Sequence, residues 1–198
     1  MQTSKSFFDA EKNLQSIVTV LDATCKADLD FCTSYLKDEA KKMIADENCG
    51  DEYRQSQPNI MQAYLGMQSY NVMYKATCLP DPETGIYCFA NAVTNQSTPA
   101  NAYFYFLPMN MSLPESSNPA CSQCLQDTMA IFQAATANRK QAIAMTYESA
   151  AKQVNSICGP DFIAEALAAP VEGSGSRLAA NALAVFSTFV VVAVNWVL

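Results

Sequence analysis

The chain contains no histidine. That removes the commonest general base, the commonest metal ligand and the usual partner of a serine or cysteine nucleophile. Glycine is scarce as well: with 6 in 198 residues, the chain has no G-x-S-x-G and no phosphate-cradling loop. Basic residues number 12 against 19 acidic ones, for a formal net charge of -7. They are scattered. The nearest approach to a cluster, Lys41-Lys42, is flanked by Glu39 and Asp46 and reads as a solvated helix face. Phosphate binding needs gathered Lys and Arg, so nucleic acid and anionic headgroups are poor partners. A long apolar run is missing from residues 1–22, where Asp9, Glu11 and Lys12 interrupt any signal-peptide core and leave an amphipathic helix pattern.

Cysteine is plentiful. The eight are Cys25, Cys32, Cys49, Cys78, Cys88, Cys121, Cys124 and Cys158, an even number spread through the chain. An oxidising compartment accounts for that, and all eight are expected in disulfides. They admit about a hundred pairings, and spacing does not choose among them. Cys121-Ser122-Gln123-Cys124 is a C-x-x-C at a helix start, where a helix dipole lowers a thiol pKa. A thioredoxin-like site would need alternating strands and helices before it, and structural disulfides to distant helices are the simpler reading. One C-x-x-C without a second pair or histidine is no zinc pattern. Asp46, Glu47, Asp51 and Glu52 lack calcium-loop spacing and read as an acidic turn. No metal, cofactor or catalytic residue is assigned.

Apolar residues recur at helical spacing over 7–24, 28–45 and 58–77, and again over 121–137 and 140–157. Asp161 is placed to cap a short helix ending near 168. The stripe of Ile60, Met61, Tyr64, Leu65, Met67, Val72 and Met73 is read as core rather than as a ligand groove. Residues 80–85 (PDPETG) are turn chemistry. The segments 86–93 and 102–107 are expected to pair as a hairpin, because Tyr103-Phe104-Tyr105-Phe106 favours a strand. The expected fold is mainly α, a disulfide-stapled helical domain with one small β-hairpin.

The C-terminal end carries the most specific signal. Gly173-Ser174-Gly175-Ser176 supplies small residues, residues 177–181 a short spacer, and residues 182–198 a nearly unbroken apolar run. These are the three parts of a glycosylphosphatidylinositol (GPI) signal, with Ser174 or the adjacent Gly173 as the anchored residue. A spanning helix needs roughly 20 apolar residues and a basic residue beyond them to hold a cytoplasmic end, neither of which this run supplies. The chain divides into a cysteine-rich helical ectodomain (1–169), a linker with the anchor site (170–176) and a hydrophobic signal tail (177–198). GPI attachment requires entry into the secretory pathway, so the natural start is expected upstream. Asn95 and Asn110 head glycosylation sequons, Asn95-Gln96-Ser97 and Asn110-Met111-Ser112.

Four motifs follow one another along the chain. They are Gly85-Ile86-Tyr87-Cys88-Phe89-Ala90-Asn91, Phe106-Leu107-Pro108, Cys121-Ser122-Gln123-Cys124-Leu125-Gln126 and Cys158-Gly159-Pro160-Asp161-Phe162. In this order they resemble a family of fungal secreted proteins with a cysteine-rich domain of unknown function and a GPI tail. The resemblance implies a location at the plasma membrane or cell wall and no known activity. The first expectation is a non-enzymatic surface protein with a structural or interaction role. Its partners would be the membrane, through its lipid, and a wall polysaccharide or surface protein. A second is a module holding a hydrophobic or glycan ligand near residues 103–106. A third is a glycan-active enzyme using two carboxylates. An aromatic-lined pocket would favour the second, and facing carboxylates in a cleft the third.

Overall fold

The computed structural model describes residues 4–171, and these are mainly helical. The helices α1 (Ser4–Ala10) and α2 (Leu14–Thr24) replace the single helix expected over 7–24. Asn13 explains the break: its side chain accepts the Ser16 N–H at 3.0 Å and so caps the second helix. Asp28 caps α3 (Leu29–Met43) in the same way, through the Phe31 N–H. A short α4 (Gly50–Arg54) comes next, where the sequence suggests only a stop. Asp46 and Asp51, from the acidic turn, both pair with the Arg54 guanidinium.

Pro58 opens α5 (Pro58–Thr77), as its fixed φ and missing N–H allow at a first turn. This helix packs against α3, α4 and three later elements: α6 (Cys88–Thr94), a 3-10 helix (Pro99–Met109) and α7 (Gln123–Ala135). Its fully buried residues are Ser69, Val72 and Ala76, whereas most of the stripe expected from sequence is only half-buried. The last helix, α8 (Ile143–Cys158), lies on α7 and the 3-10 helix. The core is built from Ile17, Leu21, Val72, Phe89, Phe104, Leu107, Met129, Phe132, Tyr147 and Val154, among others. Edge-to-face contacts run from Phe89 to Tyr105 (4.8 Å between ring centres) and on to Phe132 (6.4 Å).

The hairpin expected over 86–93 and 102–107 does not form. Residues 88–94 are α6 and residues 99–109 the 3-10 helix, with a lone antiparallel bridge between Pro80 and Tyr87. Burial shows why. In the aromatic run the exposed rings are Tyr103 and Phe106, each 41% exposed, while Phe104 and Tyr105 are both buried. That is the three-residue repeat of a 3-10 helix; a strand would alternate. The turn at 80–85 is present. The Asp81 carboxylate accepts the Glu83 and Thr84 N–H groups, and Gly85 takes a positive φ of 72°.

The short helix expected at 161–168 is also absent. Gly159 and Asp161 both take positive φ, which stops helical propagation from α8. Residues 162–168 instead cross α7 and α8 as an irregular strap. Its carbonyls accept hydrogen bonds from side chains: Gln126 to Phe162, Tyr147 to Ala164, Gln133 to Ala166 and Arg139 to Ala168. Asn155 holds both backbone groups of Ile163 at 3.0 Å.

Three disulfides close the domain: Cys25–Cys78, Cys88–Cys124 and Cys121–Cys158. The two cysteines of the C-x-x-C therefore bond different partners and form no dithiol pair. Cys32 and Cys49 are free thiols, which corrects the expectation that all eight pair. Cys32 lies in the first turn of α3 and Cys49 beyond its far end, where its N–H bonds the Met43 carbonyl. The helix between Cys32 and Met43 spans roughly 16 Å, and a disulfide tolerates a Cα separation of only about 7 Å. Alkylation of the denatured, unreduced protein is expected to label Cys32 and Cys49 and none of the other six. Peptide mapping by mass spectrometry reads this directly, and label on Cys121 or Cys124 would contradict the pairing.

These disulfides fit an extracellular or secreted protein. Among the described residues no helix is long and apolar enough to cross a membrane.

Candidate functional site

Two cavities flank α6. The first is an apolar groove of about 740 Å³ formed by α1, the C-terminal end of α5, α6 and the 3-10 helix. Its aromatic lining is Phe7, Phe8, Phe89, Tyr105 and Phe106, with Met73, Val93 and Met109 between them. Phe7 stacks on Phe89 with ring centres 6.5 Å apart and meets Phe8 edge-on, so α1 forms one aromatic wall. Phe8 is 61% exposed and carries this wall out to the surface. The volume lies in the range of small-molecule sites.

Glu11 and Lys12 stand at the α1 end of the groove. Lys12 is paired with Asp9 at 2.8 Å, and burial holds the Glu11 carboxyl above the ordinary range. Burial also pushes the Tyr105 hydroxyl up to about 12, with only Thr128 as its partner at 3.4 Å. Tyr105 therefore enters the groove wall as a neutral phenol.

The second cavity is a mixed cleft of about 400 Å³ on the other side of α6, with Ala92, Phe104, Ala120 and Leu125 among its lining. Asp81, Asn91, Asn95, Asn101, Ser122 and Thr128 line it, together with the Cys88–Cys124 disulfide. Asp81 Oδ2 lies 3.4 Å from Asn91 Nδ2 and 3.4 Å from Cys124 Sγ. The disulfide sulfur has no hydrogen to donate, so the latter is a contact only.

Of the aromatic run singled out in the sequence, Tyr105 and Phe106 reach the groove and Phe104 and Tyr105 the cleft, whereas Tyr103 lines neither. Sequence reasoning does not reach Phe7, Phe8 and Phe89. Periodicity puts Phe8 on a core face, and the other two are ordinary helix or strand positions. The sequon asparagines are both exposed. Asn95 ends α6 with its Oδ1 accepting the Ser97 and Thr98 N–H groups, and Asn110 ends the 3-10 helix in the left-handed region. Ser174 and Gly173 lie outside the described residues, as does the apolar tail. Each cavity carries a single carboxylate, Glu11 in the groove and Asp81 in the cleft.

The family described as a domain of unknown function, DUF7729, matches residues 1–167. The chain belongs to this family. No curated protein and no solved structure matches it. The DUF7729 match covers α1 through most of the strap, so both cavities fall inside the family domain.

Proposed function

We propose that this DUF7729 chain is the GPI-anchored, glycosylated ectodomain of a fungal cell-surface or cell-wall protein. In this reading it is a non-enzymatic module that captures the apolar part of a small amphipathic molecule. The observation that carries the binding role is the aromatic groove between α1 and the 3-10 helix. Rings from α1, α6 and the 3-10 helix converge on it, which suits a hydrocarbon ligand. The carboxylate-pair enzyme draws no support from cavities that hold one carboxylate each. The anchor reading rests on the small residues 173–176, the spacer and the apolar run beyond them.

The groove is tested with an uncharged fluorescent long-chain alcohol titrated into the purified protein. Saturable binding is expected, and Phe106→Asp should weaken it by about tenfold to a hundredfold, the equivalent of one buried ring. The pH profile comes from Glu11. A ligand lying over that carboxyl desolvates it further and favours its neutral form. Binding then takes up a proton, so affinity rises as pH falls from neutral through the carboxylate range. Glu11→Gln should flatten the profile. Binding that is equal in wild type and Phe106→Asp would refute the groove.

The anchor is tested on intact fungal cells expressing the gene with its natural upstream region. Phosphatidylinositol-specific phospholipase is expected to release the protein into the medium. Retention on the cells, together with eight reactive thiols, would mean a protein facing the cytosol.

A further inference from the structure

A third cavity, of about 240 Å³, shares no lining residue with the other two. It lies where α3, α5 and the connection between α7 and α8 meet. Lys37 of α3 and Lys140 of the connection line it, and no carboxylate does. Lysines that are scattered along the sequence are brought to one place by the fold.

These two lysines differ from others of the chain. Lys12, Lys41 and Lys42 hold carboxylates at 2.8, 2.9 and 2.7 Å. Lys37 and Lys140 pair with no carboxylate among the described residues. Their surroundings supply none. Neither α5 nor the connection, residues 136–142, carries an acidic residue, and Asp38 and Glu39 are taken by Lys41 and Lys42. In a chain of net charge -7 this is a local excess of positive charge. Arg139 adds nothing to it, because its guanidinium donates to the Thr136 and Ala168 carbonyls.

Amides complete the donor set. Asn138 Oδ1 accepts the Lys140 N–H at 3.1 Å, which leaves its Nδ2 hydrogens to donate. Gln68 and Gln141 add side-chain amides with no hydrogen-bond partner among the described residues. Leu65 and the Tyr64 ring, edge-on to Tyr53 at 4.9 Å, make part of the wall apolar.

We infer that this cavity binds a small phosphate monoester, its phosphate held by the two lysines and its organic group lying against Tyr64 and Leu65. A monoester carries close to two negative charges at neutral pH, which matches two ammonium groups. Those ammoniums swing on four-carbon stems, so both can reach an anion seated between them. A phosphate only accepts hydrogen bonds, and its tetrahedral oxygens meet donors arriving from three segments of chain. A carboxylate presents its acceptor sites in one plane. An uncharged ligand would leave two like charges facing one cavity without compensation. The site is separate from the groove, and its fate does not depend on that reading.

The test titrates phenyl phosphate into the isotope-labelled full chain and follows backbone amides by NMR. Saturable shifts are expected around Gln68 and Gln141, with a dissociation constant on the order of a millimolar, while the groove residues stay still. Lys37→Gln/Lys140→Gln should weaken binding by about tenfold or more, as two charges at contact distance are lost. Lys41→Gln/Lys42→Gln changes the net charge equally and should stay within about twofold of wild type, since charges away from the cavity are screened. All four lysines are exposed, so both variants should fold. Equal losses in the two variants would reduce the effect to general charge and overturn the site. Phenyl glucoside, benzoate or inorganic phosphate binding as tightly as the ester would overturn it as well. Capture by phosphatidate vesicles, with no shift from phenyl phosphate, would put the phosphate on a lipid surface and overturn the small-molecule assignment.

Discussion

Replacing Cys25 and Cys78 together by serine is expected to lower the unfolding free energy by about 4 kcal/mol. Their bridge spans 53 residues of sequence, and opening a loop of that length restores to the unfolded chain the freedom the bridge had removed. The bridge joins the ends of α2 and α5. Tyr74 of α5 also donates its hydroxyl to the Cys25 carbonyl at 2.6 Å and to the Ala27 carbonyl at 3.0 Å. These bonds hold part of the native geometry without the bridge, so the variant should still fold at low temperature. For a domain of this size the loss corresponds to a melting shift of about 10 °C. Urea denaturation of the double variant, with Cys32→Ser/Cys49→Ser as control, measures it. The control removes only unpaired thiols and should remain within about 1 kcal/mol of wild type. A larger effect in the control than in Cys25→Ser/Cys78→Ser would mean that the pairing is wrong.

Asn155→Ala is expected to cost on the order of 3 kcal/mol. Asn155 is buried in α8, and its amide accepts the Ile163 N–H and donates to the Ile163 carbonyl. It donates as well to Glu165 at 3.1 Å. Alanine leaves both backbone groups of a buried residue unpaired, which costs about 1–3 kcal/mol for each. The strap should detach first, so hydrogen exchange over residues 162–168 is expected to accelerate before the helices melt. Asn155→Asp is the informative companion. It keeps the acceptor, loses the donors and sets a second carboxylate beside Glu165. Its aspartate would have a raised pKa, so its stability should recover as pH falls and a proton returns a donor. Uniform protection of the strap in Asn155→Ala would show that the clamp contributes nothing.

Asn155 is invisible in the sequence for a plain reason. An asparagine within an apolar helical pattern gives no sign of which backbone it will hold. The strap is hidden because Asp161 stands after Cys158-Gly159-Pro160 like a helix cap. Gly159 and Asp161 take left-handed φ instead, and six side chains of α7, α8 and their connection hold residues 162–168 in place. The aromatic run at 103–106 misleads on composition, since aromatics favour strands and no local signal marks a 3-10 helix.

The starts of α3, α5 and α7 are legible to within two residues, because Asp28 and Ser122 accept N–H groups of their own first turns and Pro58 has no N–H to leave unpaired there. The disulfide-rich helical character is legible from composition for a similar reason: cysteine number and periodicity need no knowledge of distant contacts. The aromatic density at Tyr105 and Phe106 marks one wall of the groove. The other wall comes from Phe7 and Phe8, and its floor from Met73 and Phe89. Local chemistry along the chain by itself determined the helical class, the turn at Asp81 and the abundance of cysteine. Which cysteines pair, which two remain thiols, and where the aromatic groove lies were decided only by the tertiary structure, because each depends on residues brought together from distant parts of the chain.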